Sequence, residues 1–401
     1  MAKPKIKLSK ASEIKIEKFL GINDVDPPQK CKPGELQLAI NCEVDDVGRI
    51  RRRDGFSSVF AGTPHSLWSD GMICLFREGT NLRSLNTLWS PTTIRTGILG
   101  TNRMNYFTLN GRVYYSDEII TGIYDGTTDR TWGLELPPTP VLSATSGNLQ
   151  EGNYHCLFTF VRDDGQESGT SPSSSIDVGA NGGITVTLPT SPDPTVEYVY
   201  VYLTTCNGET FYLAKILANG TASVTYAGDT SEFSLKCPTM HLSPAPAGHL
   251  IQFYRGRIYV AADNILWYSI PFGYELFDIA NNHIQLDSRI TILTPVHDGI
   301  WVGTQTKVAF LSGQDGPQLQ YIEKLNCGAS EGTQQKIQDT NKEGQDLWAW
   351  IFATDDGVVI GTDGGLFKNL TETKYDNPTA IKGTSLLREE NDRSIFIVSL
   401  I

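Results

Sequence analysis

The sequence predicts an all-β protein, on three observations. Glycine (38) and proline (20) are slightly enriched in the 401 residues, and tyrosine (16), phenylalanine (16) and tryptophan (7) are plentiful. Charged residues reach only 19%, a mix that suits many short strands joined by tight turns and disfavours helical bundles, coiled coils and disordered chains. The third observation is a recurring unit, a glycine turn followed by a short apolar or aromatic strand. The length exceeds what one ordinary core holds, so two domains or one large repetitive domain are expected.

The first element is a basic extended arm, residues 1–18. Six lysines (Lys3, Lys5, Lys7, Lys10, Lys15 and Lys18) stand against Glu13 and Glu17. If the arm is extended, Lys3, Lys5 and Lys7 point one way and Pro4 and Ile6 the other. The arm is expected to dock on a neighbouring subunit through these lysines.

A hairpin follows, with strands expected over Leu36–Val44 and Arg49–Arg53 around the turn Asp45-Asp46-Val47-Gly48. Alternation places Arg49, Arg51 and Arg53 on one face and Ile50 on the other. Four guanidiniums in five residues suit a grip on phosphate or carboxylate, here read as partner docking. The same run also reads as a solvated strand edge kept from aggregating by its charge.

From residue 71 the repeat takes over. Its copies are Gly71-Met-Ile-Cys-Leu-Phe, Gly111-Arg-Val-Tyr-Tyr-Ser, Gly256-Arg-Ile-Tyr-Val-Ala, Gly299-Ile-Trp-Val-Gly-Thr and Gly357-Val-Val-Ile-Gly-Thr. Successive glycines lie 40, 145, 43 and 58 residues apart. A period of roughly 40 to 45 is what four-stranded propeller blades produce, so the body is expected to be β-propeller-like. The gap of 145 residues implies an insertion. Pro137-Pro138-Thr139-Pro140 opens a new texture, and Pro238 with Pro244-Ala-Pro246 closes it. Removing 137–240 reduces the gap to 41 residues.

Within the insertion, Asn153–Arg162, Gly183–Leu188, Glu197–Leu203, Phe211–Ile216 and Ala222–Tyr226 read as strands, which predicts an immunoglobulin/fibronectin-III-like β-sandwich. The organisation expected is therefore an arm (1–18), a first part of the body with its hairpin (19–136), the sandwich (137–240) and a second part of the body (241–401). Only Leu67–Phe76 and Thr333–Asn341 carry weak helical patterns.

No enzyme chemistry is legible. The seven cysteines are scattered without a CxxC pair, and the six histidines lack HExxH spacing, so no metal site, disulfide framework or cofactor is expected. There is no GxSxG elbow and no P-loop. A glycan-cleaving propeller is the one catalytic rival, but Thr127-Thr128-Asp129-Arg130-Thr131-Trp132 lacks the glycine and spacing of its turn motif. The longest apolar stretch, Ile395–Ile401, is far short of a membrane helix, and no membrane insertion is expected. Met1-Ala-Lys-Pro-Lys-Ile-Lys lacks the apolar core of a signal peptide, which predicts synthesis and retention in a cytoplasm. The net charge of −12 disfavours a protein that coats nucleic acid, though not one through which nucleic acid passes.

Three stretches carry a resemblance. They are Phe19-Leu-Gly-Ile-Asn23 with Pro33-Gly-Glu-Leu36, Ala39-Ile-Asn41 and Gly48-Arg-Ile-Arg-Arg-Arg53-Asp-Gly55; then Gly256-Arg-Ile-Tyr-Val-Ala261 with Leu266-Trp-Tyr-Ser-Ile-Pro-Phe-Gly-Tyr274-Glu-Leu-Phe-Asp278; and Ser288-Arg-Ile-Thr-Ile-Leu293 with Asp298-Gly-Ile-Trp-Val-Gly-Thr-Gln305. Together they resemble the tail nozzle, or packaged-DNA stabilisation, proteins of tailed bacteriophages. The resemblance implies a virion tail protein, made in the host cytoplasm. It would form a ring, usually a hexamer, below the adaptor and portal, closing the DNA exit channel and later conducting the genome without binding it specifically. It brings no catalytic residues. The chain is compact for a nozzle, which puts long gating loops in doubt. The other reading is a tail-tip or fibre adhesin that binds the host surface, although the basic arm favours the ring.

Overall fold

The computed structural model describes residues 16–45, 47–55, 57–340, 346–371, 374–375, 379–390 and 393–401. Lys3, Lys5 and Lys7, with most of the basic arm, lie outside the described residues. The fold is all-β: among the described residues the only helical elements are two 3-10 turns, Gly316–Gln318 and Asp363–Gly365.

Five sheets repeat one plan, with strands adjacent in chain order. The first is Pro64–Ser69, Cys74–Glu78, Asn81–Leu85 and Pro91–Arg95. The second is Asn105–Leu109, Arg112–Ser116, Thr121–Tyr124 and Asp129–Arg130. The third comprises Leu250–Tyr254, Arg257–Ala262, Ile265–Ile270 and Gly273–Phe277, with His283–Gln285 added beside Ile265–Ile270. The fourth is Ile290–Pro295, Gly299–Thr304, Val308–Ser312 and Gln320–Leu325, and the fifth Gln335–Thr340, Asp346–Thr354, Gly357–Gly361 and Phe367–Asn369. Such four-stranded meanders are the units of a β-propeller.

Two hairpins explain the recurring glycine. Asn110-Gly111 links Leu109 to Arg112 with φ of 52° and 74°, and Arg255-Gly256 links Tyr254 to Arg257 with φ of 43° and 79°. Two consecutive positive φ values are the signature of a type I′ turn, whose twist matches that of the flanking strands.

The chain divides into two compact units. The terminal unit gathers 1–61, 305–308 and 323–401, and the central unit 62–304 and 309–322.

Within the central unit, successive sheets share cores. Leu75 and Leu82 of the first sheet pack with Val113 and Tyr115 of the second. Tyr114 and Ile123 pack with Ile251, Ile258, Val260 and Phe277 of the third. Tyr259, Ala261 and Leu266 then pack with Ile290, Leu293, Ile300 and Val302. The pleat sends alternate side chains to opposite faces, so Val113 and Tyr115 enter one core while Tyr114 enters the next. Both faces are buried, and the strands accordingly read as continuous apolar runs rather than alternating ones.

The sandwich lies between the second and third sheets in sequence. Its strands are Val141–Leu149, Gly152–Arg162, Ser174–Val178, Gly182–Thr187, Val196–Thr204, Phe211–Ala218 and Ser223–Tyr226. The first, fourth and seventh form one sheet; the other has the order third, second, fifth, sixth. This interleaving makes the chain cross repeatedly between sheets, as in fibronectin-III-like sandwiches. Phe158, Phe160, Val199, Val201 and Leu203 meet Ile184 and Val186 in its core.

The terminal unit holds the fifth sheet and three two-stranded elements. Gly21–Ile22 pairs in parallel with Glu35–Leu36, Cys42–Val44 pairs with Ile50–Arg52, and Gly383–Glu390 pairs with Arg393–Leu400.

Three expectations on local structure need correction. Leu67–Phe76 is not helical: it spans the end of Pro64–Ser69, a turn and the start of Cys74–Glu78. The Asp70 carboxylate accepts from the N–H groups of Met72 and Ile73 and fixes that turn. Thr333–Asn341 contains the strand Gln335–Thr340, whose pairing with Asp346–Thr354 overrides a weak helical pattern; Asn341 lies outside the described residues. The N-terminal hairpin is shorter than the spans Leu36–Val44 and Arg49–Arg53. Asn41 has a φ of 55°, which breaks an extended strand, and Glu35–Leu36 pairs elsewhere.

Candidate docking surface on the arginine hairpin

The turn that positions the arginines is set by Asp45. One of its carboxylate oxygens accepts from the N–H of Val47 at 3.1 Å and of Arg49 at 2.7 Å. Gly48 takes a φ of 82°, a conformation that favours glycine. The register that results places Arg51 opposite Glu43.

Glu43 is the centre of the site. Arg51 donates to Oε2 through Nη2 at 2.9 Å and Nε at 3.2 Å. Arg388, from the Gly383–Glu390 strand, donates to Oε1 at 2.8 Å, and the Nε of Arg53 lies 3.7 Å from the same oxygen. The Arg388 and Arg51 bonds hold the Glu43 carboxyl below its ordinary value. Three guanidiniums therefore share one carboxylate, which leaves a surplus of positive charge. The Arg51 and Arg53 side chains remain 48% and 40% exposed, so the surplus faces solvent.

Of the expected set, Arg51 and Arg53 are brought together on Glu43. Arg49 is exposed at the turn and makes no ion pair with any described residue. Arg52 and Arg53 line a cavity of 480 Å³ with Asn41, Asp54 and Gly55. Sequence reasoning missed both Glu43 and Arg388. The cross-strand partner of Arg51 follows once the register is known, but Arg388 stands 345 residues from Glu43 and no spacing signals it.

A second junction in the terminal unit is also ionic. Asn23 is buried, donating to Glu35 at 2.9 Å and to Asp26 at 3.0 Å, and Lys374 donates to Glu35. The lysine, Asn23 and the Lys32 backbone together bring the Glu35 carboxyl down to about 2. Among the described residues, no group of three or more His, Cys, Asp or Glu side chains is placed to hold a metal ion. The seven cysteines are unpaired.

No family model and no curated protein matches the chain. Among solved structures it is similar to BBS1N in complex with ARL6DN, with 12% identity over 86% of this chain and 93% of that one, at a TM-score of 0.35. It is also similar to Saccharomyces cerevisiae Sqt1 (11% identity, 80% and 76% coverage, TM-score 0.32) and to the N-terminal domain of Nup159 (9%, 84% and 72%, TM-score 0.30). Identities and scores this low leave activity and partners unassigned.

Proposed function

We propose that the chain is a non-enzymatic structural protein of a tailed-phage virion, a ring-forming nozzle or hub subunit of the tail that closes the DNA exit channel and conducts the genome. The observation that carries this reading is the surplus of guanidinium charge around Glu43 in a chain of net charge −12. A basic patch on an acidic protein is complementary to the remaining surface of another copy. Contacts between two different patches are heterologous, and a heterologous contact whose rotation closes gives a ring. The lysines of the arm add charge of the same sign. An acidic channel wall suits DNA passage, because each lysine or arginine gripping phosphate adds affinity through counter-ion release and retards transit.

Native mass measurement tests the reading, with Arg49→Glu as the variant because Arg49 can be changed without disturbing Glu43. The wild type should assemble into a closed ring, six copies being expected, and the ring should weaken as added salt shortens the Debye length below its physiological value of about 8 Å. Arg49→Glu should shift the population to smaller species while leaving the melting temperature unchanged. A wild type that stays monomeric when concentrated, or a ring indifferent to both salt and Arg49→Glu, overturns the proposal.

A further inference from the structure

An apolar strand of the terminal unit has an open edge among the described residues. Arg393–Leu400 pairs with Gly383–Glu390 and with no other strand among the described residues. The inner strand of this hairpin is occupied on its far side. Gly383 donates its N–H to the carbonyl of Glu331 at 2.8 Å, and Gln335 donates to the carbonyl of Ser385 at 3.0 Å. The outer strand has no such neighbour. Beyond the hairpin pairing, no backbone hydrogen bond joins 394–400 to another described residue.

Native proteins blunt such an edge with lysine, proline, a bulge or a cover. Here Ser394-Ile-Phe-Ile-Val-Ser399 contains no charge, proline or glycine, and the register with the inner strand is unbroken over eight pairs. Ile395, Phe396, Ile397 and Val398 are each only part-buried, and none joins the buried core. An isolated two-stranded hairpin is marginal in water, and this one is half the width of the four-stranded meanders.

We infer that this strand pairs antiparallel with the same strand of a second copy, about a two-fold axis through the pair of Ile397 residues, to give a continuous four-stranded intermolecular sheet. The sequence is self-complementary in that register: Ile397 faces its own copy, Phe396 faces Val398 and Ile395 faces Ser399. Charge selects this occupant over the basic arm, because a strand bearing Lys3, Lys5 and Lys7 finds no acidic residue between Ser394 and Ile401. The contact is isologous, so it is distinct from the heterologous contact that closes a ring and pairs chains, or rings, back to back.

A designed cross-link tests the register in the full-length protein. Facing residues of an antiparallel pair have Cα atoms about 4.5–5.5 Å apart, within disulfide range. The single variant Ile397→Cys should therefore form a covalent dimer on mild oxidation, because the residue on the axis faces its own copy. Wild-type protein, with its seven native cysteines, is the control and should not cross-link. Adding Val398→Lys should abolish the cross-link and weaken self-association by about tenfold or more, since the lost Phe396–Val398 pair occurs twice about the axis. Arg49→Glu should leave the cross-link intact, which separates this contact from the ring. Failure of Ile397→Cys to cross-link, cross-linking that survives Val398→Lys, or loss of dimer on deleting residues 1–15 would each overturn the inference.

Discussion

The central and terminal units both collect arginines around carboxylates, with opposite results. In the central unit the Arg77 side chain is wholly buried and every direction of its guanidinium is used. It donates to Asp117 at 2.7 Å and to the carbonyls of Gly79, Asn102, Leu99 and Gly100 at 3.2, 2.9, 3.0 and 2.5 Å. Five N–H donors meet a cage of backbone oxygens that has no capacity left for a ligand. In the terminal unit, three guanidiniums divide one carboxylate, and two of those side chains stay 48% and 40% exposed. Arginine surrounded by carbonyls fastens loops to sheets, whereas three arginines around one acid leave net positive charge at the surface. The difference lies in the supply of acceptors rather than in the residue type.

The comparison makes its largest claim at Asp117. Removing one member of a buried pair strands the other charge, at a cost of about 3–5 kcal/mol. Asp117 also accepts from the N–H groups of Ile119 and Ile120, at 3.1 and 2.9 Å, so its loss frees two backbone donors as well. Asp117→Ala should lower the denaturant midpoint of the central unit by a correspondingly large amount. A loss under about 1 kcal/mol would mean that the carbonyl cage alone holds Arg77, and would blunt the contrast.

A smaller effect separates the units by pH. Glu167, in the sandwich, is half-buried among neutral partners, accepting from Thr159 at 2.6 Å and Tyr202 at 2.7 Å. Burial raises its carboxyl above the ordinary 4.5, against the pull of those two bonds. Glu35, with Lys374 and Asn23 beside it, is lowered to about 2. The signs are opposite. The Glu167 contribution is fully present below 4.5 and is lost as pH rises through its folded value, whereas the Glu35 contribution is present above 4.5 and is lost as pH falls toward about 2. Carboxyl NMR titration should place the Glu167 midpoint above 4.5 and the Glu35 midpoint near 2. Glu167→Gln should remove the sandwich's share of the pH dependence, and coincident midpoints for the two glutamates would erase the distinction.

Much of the central unit was legible because its rules are local. Asn110-Gly111 and Arg255-Gly256 announce their hairpins, and unbroken runs such as Arg-Val-Tyr-Tyr-Ser announce strands buried on both faces. The sandwich was legible in its core strands but not in Val141–Leu149 or Ser174–Val178, whose mostly polar, exposed residues carry no apolar run. The candidate site was legible only in part. Alternation grouped Arg51 with Arg53, yet the acceptor that makes the group meaningful is fixed by hairpin register, and Arg388 is supplied by the far end of the chain. The apolar run Ile395–Ile401 was visible as composition. That it forms an open edge is a property of which strands lie beside it, and no local pattern encodes that.

The smallest effect belongs to Arg53→Ala, and its smallness is the point. The Arg53–Glu43 separation of 3.7 Å is the longest of the three contacts, the Arg53 side chain is 40% exposed, and Glu43 keeps Arg51 and Arg388 when Arg53 is gone. Solvent screens such a pair, and holding a long side chain in one geometry costs entropy that offsets most of the attraction. Like charges in the cluster also repel, so deleting one relieves part of what it removes. The melting temperature should therefore move by no more than about 2 °C, and the shift should shrink further in 1 M salt, where the Debye length is about 3 Å. Assembly, by contrast, should weaken, because the charge removed is one that the fold does not consume. If Arg53→Ala destabilises the terminal unit as strongly as Asp117→Ala destabilises the central one, the hairpin arginines are structural after all, and the surplus charge on which the ring proposal rests is not available to a partner.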